Sequence, residues 1–219
     1  DACECSTYDR GVQGYDNMKS YLEAGGRMSG SHYFYNFFAS PAQCSLQYPD
    51  PTCQGPSDFS GVAEWMQSQN LTAPPYMINT TLPKGKALAD WYKVVKPSSA
   101  YGQLPLTDTR QDVHRVTAGK ATPWIYAGNL ASSYDSYYMS FNTPVAQPVA
   151  NQCGKAVFSD VHLVGYMNNY TNPWPSSCAG GYSNMDGDHS DNELALEFLF
   201  FDLSSCVQDE TLPPPPPPN

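Results

Sequence analysis

The chain has 219 residues, enough for one sizeable core and marginal for two, and a formal net charge of −10. Its 11 Lys and Arg are too few and too scattered for nucleic acid or an anionic membrane surface as partner. No apolar run approaches the roughly 20 residues of a membrane span, so membrane insertion is excluded as well.

The first six residues hold Cys3, Glu4 and Cys5. Asp16 is placed to cap a helix through Met18, Tyr21 and Leu22, closed by Gly25-Gly26. Residues 27–38 read as a strand crowded with Tyr33, Phe34, Tyr35, Phe37 and Phe38. A Pro-rich loop bracketed by Cys44 and Cys53 follows, and these two are the most local disulfide candidate. Pro83 suits a first helical position, and Ala87, Leu88, Trp91, Tyr92 and Val95 then mark one helical face up to Pro97. Strand-like runs come next at 113–117, 122–127 and 137–141.

The last third, Cys153 to Cys206, organises the rest. Residues 156–163 read as a buried strand, and a Gly/Ser/Asn/Asp-rich loop leads to Ser190-Asp191-Asn192-Glu193, a reciprocal capping box. The helix from Leu194 to Leu203 is apolar nearly all round, which predicts burial on every side. Antiparallel packing of that strand and helix brings Cys153 and Cys206 to the same end, as a disulfide. Cys178 is left to pair with Cys5 or Cys3. Seven cysteines without zinc-finger spacing indicate disulfides and hence an extracellular, cell-surface setting. Asn70, Asn79 and Asn169 head N-x-T sequons and are candidate glycosylation sites there. Residues 1–207 form one domain, and 208–219 are an acidic stretch and a run of six prolines that serves as a polyproline linker.

Helices separated by strands predict an α/β domain with a mixed sheet, flanking helices and about three disulfides. The run from Tyr15-Asp16-Asn17-Met18 to Gly25-Gly26-Arg27, followed by Ser31-His32-Tyr33, resembles class I glutamine-amidotransferase-like domains, particularly the ThuA-like branch. So does the later order of His114-Arg115-Val116, the Tyr-rich strand and Gly154 through His162. The resemblance implies a flavodoxin-like sheet and a carbohydrate-active enzyme. Two departures accompany it. A strand-helix-strand unit normally precedes the point where this sequence begins, which makes the chain a fragment or leaves a sheet edge for a neighbour. No G-x-C-x-G elbow is present, so the glutaminase nucleophile is missing.

Candidate chemistry gathers in three places. Glu4, His32, Asp160 and His162 fall where strands end, the place at which open α/β sheets bind ligands, and suit acid–base catalysis or a metal. Asp186, Asp188 and Asp191 offer oxygens at short spacing to a calcium ion, although acidic groups at a helix start need no metal. No other cofactor is called for. Tyr166, Tyr170, Trp174 and Tyr182 lie in a loop-rich segment, as rings that stack on sugars or anchor a protein interface do. With no nucleophile elbow, phosphate loop or dinucleotide fingerprint, the reading leans away from an enzyme. A non-catalytic recognition or structural module of a larger surface protein or fibre is expected, partnered by other modules or subunits of that assembly, and by carbohydrate in the alternatives. Those alternatives are a ThuA-like carbohydrate-active enzyme and a calcium-dependent sugar-binding domain.

Overall fold

A computed structural model describes residues 11–44, 53–68, 75–107, 109–161 and 190–213. Helix α1, Gly11–Glu23, begins a turn earlier than Asp16, which sits exposed within it, and buries Tyr15, Met18 and Leu22 along one stripe. Its end is a Schellman motif. Gly26 N–H donates to Tyr21 O and Gly25 N–H to Leu22 O, with Gly25 at φ 101°, where a side chain is strained.

Strand β1, Arg27–Ser31, is shorter than expected because His32–Phe37 coil into a 3-10 turn. Three residues per turn put Phe34 and Phe37 on one side, their rings stacked 5.3 Å apart. A strand would have sent these successive aromatics to opposite faces. Two short helices, α2 Pro41–Cys44 and α3 Ser57–Ser60, precede β2, Ala63–Ser68, and β3, Tyr76–Ile78. Helix α4, Pro83–Val95, starts at its proline and buries Leu88, Ala89 and Tyr92. The remaining strands are β4 Gln103–Leu104, β5 Gln111–Val116, β6 Thr122–Asn129, β7 Ser133–Thr143 and β8 Gly154–Ser159. Helix α5, Asp191–Ser204, is the last described helix or strand.

The architecture is α/β. A six-stranded mixed sheet has the order β1-β8-β7-β6-β3-β4, and β2 pairs with β5 in a separate two-stranded sheet. β1 and β8 run parallel; every other pairing in the large sheet is antiparallel. Successive β8 side chains point to opposite faces. Ala156 and Phe158 enter a core with α1, the 3-10 turn, β2 and β5, while Val157 enters a second core with α4 and α5. In the first, Phe38 packs against Phe59, Trp65, Phe141 and Phe158. Gly154 lies so close to α1 that an added Cβ would fall 1.8 Å from Leu22 O.

The capping box of α5 is present as expected: Ser190 Oγ accepts from Glu193 N–H at 3.2 Å, and Glu193 Oε2 accepts from Ser190 N–H at 2.8 Å. Burial on all sides is not. α5 buries Leu194, Ala195 and Leu199 against the sheet, but no second layer of the described chain covers its outside, and Phe200 and Phe201 stay exposed.

The expected Cys153–Cys206 bridge is corrected. Both are free, exposed thiols. They do lie toward one end of the layer, because the Arg27 guanidinium donates to Cys153 O at 2.6 Å and to Ser205 O at 3.3 Å. The Cys153 thiol turns to Glu23 O instead, 3.2 Å away. Cys53 is buried and disulfide-bonded; the side chain of Cys44 lies outside the described residues. No described helix is long and apolar enough to cross a membrane.

Candidate functional site

The carboxyl ends of β1 and β8 meet because Ser31 registers with Ser159. His32 and Asp160 therefore leave their strands at neighbouring positions, as the sequence suggests. Only the backbone of His32 is described; the Asp160 carboxyl is fully buried and turned inward. Its Oδ2 accepts from the backbone N–H of Asp112 at 2.8 Å and of Val113 at 3.2 Å. Its backbone O accepts from Arg110 N–H at 2.7 Å, its N–H donates to Tyr137 O at 2.8 Å, and Thr109 bridges to Val161 beside it. One residue thus stitches β5 to the large sheet.

Asp112, also fully buried, brings a second carboxyl close enough for its charge to act on Asp160. Burial first, and the charge of Asp112 next, raise the Asp160 pKa well above the usual carboxylate range, with Arg110 only partly opposing them. Arg110 Nε stands 3.7 Å from Asp112 Oδ2. A carboxyl pair closed off from solvent in this way holds strands together and has no route to a substrate among the described residues.

Farther along β5, His114 Nδ1 meets Asp135 Oδ1 of β7 at 2.7 Å, with the imidazole half-buried and the carboxyl mostly buried. The contact fixes the ring and leaves Nε2 as the nitrogen able to exchange a proton with a ligand. Neither Asp112 nor the His114–Asp135 dyad is among the residues expected from sequence. The signal that finds them is the alternation Arg110, Asp112, His114, an ionisable residue at every second position from just before β5 into it.

Chemistry of another kind occupies the amino end of β8. Lys155 Nζ contacts Asp202 Oδ2 at 2.7 Å and Glu210 Oε1 at 2.6 Å, while Lys84 Nζ contacts Asp202 Oδ1 at 2.7 Å and Glu210 Oε2 at 2.8 Å. The four groups close a buried ring joining α4, β8, α5 and the segment after α5. Burial by itself lowers the Lys84 pKa, but hydrogen bonds and charge from Asp202 and Glu210 outweigh it and hold the pKa above the usual lysine value.

Asp191, expected as a calcium ligand, accepts from the Tyr92 hydroxyl, whose pKa is raised by burial and then by that carboxylate. Asp186, Asp188, Tyr166, Tyr170, Trp174 and Tyr182 lie outside the described residues, as do Glu4, His162, Cys3, Cys5, Cys178, Asn70 and Asn169. Asn79, expected as a glycosylation site, lies among the described residues. It is buried, donates from Nδ2 to Pro123 O at 3.0 Å, and accepts from Thr81 N–H and Oγ1–H at 3.3 and 2.6 Å. Its amide nitrogen is spent on β6, and its amide oxygen holds the turn that leads into α4. No three His, Cys, Asp or Glu side chains converge among the described residues.

No family model matches the chain, and neither the curated proteins nor the solved structures contain one similar to it.

Proposed function

We propose that the chain is a non-catalytic recognition or structural module of a larger extracellular surface protein or fibre. The observation that carries this reading is the outer face of α5, where Phe200 and Phe201 are 45% and 67% exposed. Phe198 and Trp91 lie half-buried in the same helix layer, their rings 6.2 Å apart. Clustered large apolar groups in water favour association, and aromatic side chains are the usual anchors of an interface. The occupant we assign is a second copy of this chain, since one apolar helix face pairs with itself about a two-fold axis. The inward-turned Asp112–Asp160 pair supports a structural use of the most strongly perturbed acid. The bonded Cys53 supports an oxidising compartment, and the proline run supplies a tether to a neighbouring module.

Sedimentation velocity from low to high micromolar concentration tests the reading. A reversible dimer is expected, lost in a Phe200→Ser/Phe201→Ser chain whose melting temperature is unchanged. A wild-type chain that remains monomeric throughout overturns it.

A second reading, a ThuA-like, flavodoxin-like carbohydrate-active enzyme, is favoured by the half-exposed His114–Asp135 dyad on the strand that Asp160 anchors. Turnover of an oligosaccharide by the full chain, abolished by His114→Gln, supports that reading. Turnover unaffected by the substitution removes it.

A further inference from the structure

The Lys84–Lys155–Asp202–Glu210 ring contains an imbalance that only Glu210 conceals. Three members belong to the body of the domain: Lys84 in the first turn of α4, Lys155 at the start of β8 and Asp202 in the last turns of α5. Glu210 comes from the strap that follows α5. Without it, two ammonium groups with side chains 5% and 0% exposed would face one carboxylate. They do so at the start of α4, where no side chain caps the helix and its dipole adds positive potential.

The strap holds Glu210 in a small built turn. Asp209 Oδ1 accepts from Thr211 N–H at 2.9 Å and from Thr211 Oγ1–H at 2.7 Å, and Leu212 N–H donates to Asp209 O at 3.0 Å. Glu210 therefore sits at the second position of an Asp-Glu-Thr-Leu turn, its carboxylate divided between both lysines. Other holds on the strap are slight. Asn142 Nδ2 donates to Gln208 O at 3.3 Å, and Thr211, Leu212 and Pro213 are exposed.

We infer that Lys84 and Lys155 form a carboxylate-recognition cradle, filled in cis by Glu210, that takes an acidic turn peptide of the Asp-Glu-Thr-Leu kind in trans when the strap lifts. The chemistry is that of a desolvated two-cation clamp. A carboxylate there gains a charge-assisted hydrogen bond from Lys155 and an ion pair with Lys84, and a neutral side chain leaves two buried ammonium groups undercompensated. Tethering gives the cis turn an effective concentration in the millimolar range, so a trans peptide competes poorly until the strap is displaced. This site is independent of the α5 face and extends the proposed recognition role to a second, charge-based contact.

The test uses the full chain and a fluorescent peptide with the sequence of residues 207–213, followed by anisotropy. Glu210→Gln is expected to bind the peptide saturably, at least about tenfold more tightly than wild type, whose cradle is already filled. The same peptide with Gln in place of its Glu is expected not to bind. No binding to a folded Glu210→Gln chain, or equal binding of the Glu and Gln peptides, overturns the proposal. If Glu210→Gln loses its thermal transition, Glu210→Asp replaces it, keeping the charge on a shorter arm that seats less well. Failure of that chain to bind the Glu peptide more tightly than wild type overturns the proposal equally.

Discussion

The two ends of the six-residue strand β8 place ionisable groups in the same kind of dry surroundings and treat them in opposite ways. At the amino end, Lys155 and Lys84 are paired with Asp202 and Glu210, which stand 2.6–2.8 Å away. At the carboxyl end, Asp160 has a like-charged neighbour, and neutralisation replaces pairing: burial and the charge of Asp112 raise its pKa well above the usual carboxylate range. Buried charge is costly, and a protein lowers that cost by supplying a counter-ion or by removing the charge. The contrast teaches that a strongly perturbed group need not mark catalysis, since both arrangements fasten elements together.

The contrast breaks most visibly at the amino end. Lys155→Met leaves two buried carboxylates with one lysine, and a loss of about 3–5 kcal/mol in urea-unfolding stability is expected. At the carboxyl end the outcome depends on which atoms remain. Asp160→Ala strands the N–H groups of Asp112 and Val113 and is expected to cost about 1–3 kcal/mol. Asp160→Asn keeps an acceptor for them and offers Asp112 a donor without needing a proton. It is expected to unfold at or above the wild-type midpoint at neutral pH.

pH sharpens the difference further. Asp160 holds its proton where an unfolded aspartate has already lost one, so the folded chain binds more protons across that window. Stability contributed by the acid pair therefore falls as pH rises above about 4 through the raised value. Lys84 behaves otherwise: its contribution is fully present below about pH 10.4 and disappears only as pH rises through its raised value. Melting temperature against pH should show two separate declines, the first absent from Asp160→Asn and the second from Lys84→Met.

The smallest effects belong to exposed groups. His114→Gln, which keeps a donor for the mostly buried Asp135 carboxyl, is expected to change stability by no more than about 1 kcal/mol. Alkylation without reductant, read by peptide mass, is expected to label Cys153 and Cys206 with no change in unfolding midpoint; recovery of a 153–206 disulfide would contradict the Arg27 bridge between those segments.

Local signals in the sequence located what local physics decides. Pro83 opens α4, the Ser190–Glu193 box opens α5, and strand-like runs locate the strands from 111 to 159. The 3-10 turn escaped because five aromatics within residues 33–38 satisfy a strand pattern equally well until the core decides which side they share. The site partners escaped for another reason. Asp112 and Asp160 are 48 residues apart, and Lys84 and Asp202 are 118 apart, so no spacing rule relates them. The cysteine pairing failed in between: the packing that brings 153 and 206 toward one end was legible, but the arginine that occupies that end was not.

The claim on which the rest depends is that the polar groups at the carboxyl end of β8 are turned into the protein and serve as a fastening. The most direct measurement is a carboxyl carbon-13 titration of Asp160 in the intact chain. A midpoint well above the ordinary aspartate value, shifting when Asp112 is replaced by Asn, is the predicted result. A midpoint at the ordinary value, indifferent to Asp112, would mean a carboxyl open to solvent and available for chemistry, and would contradict the account.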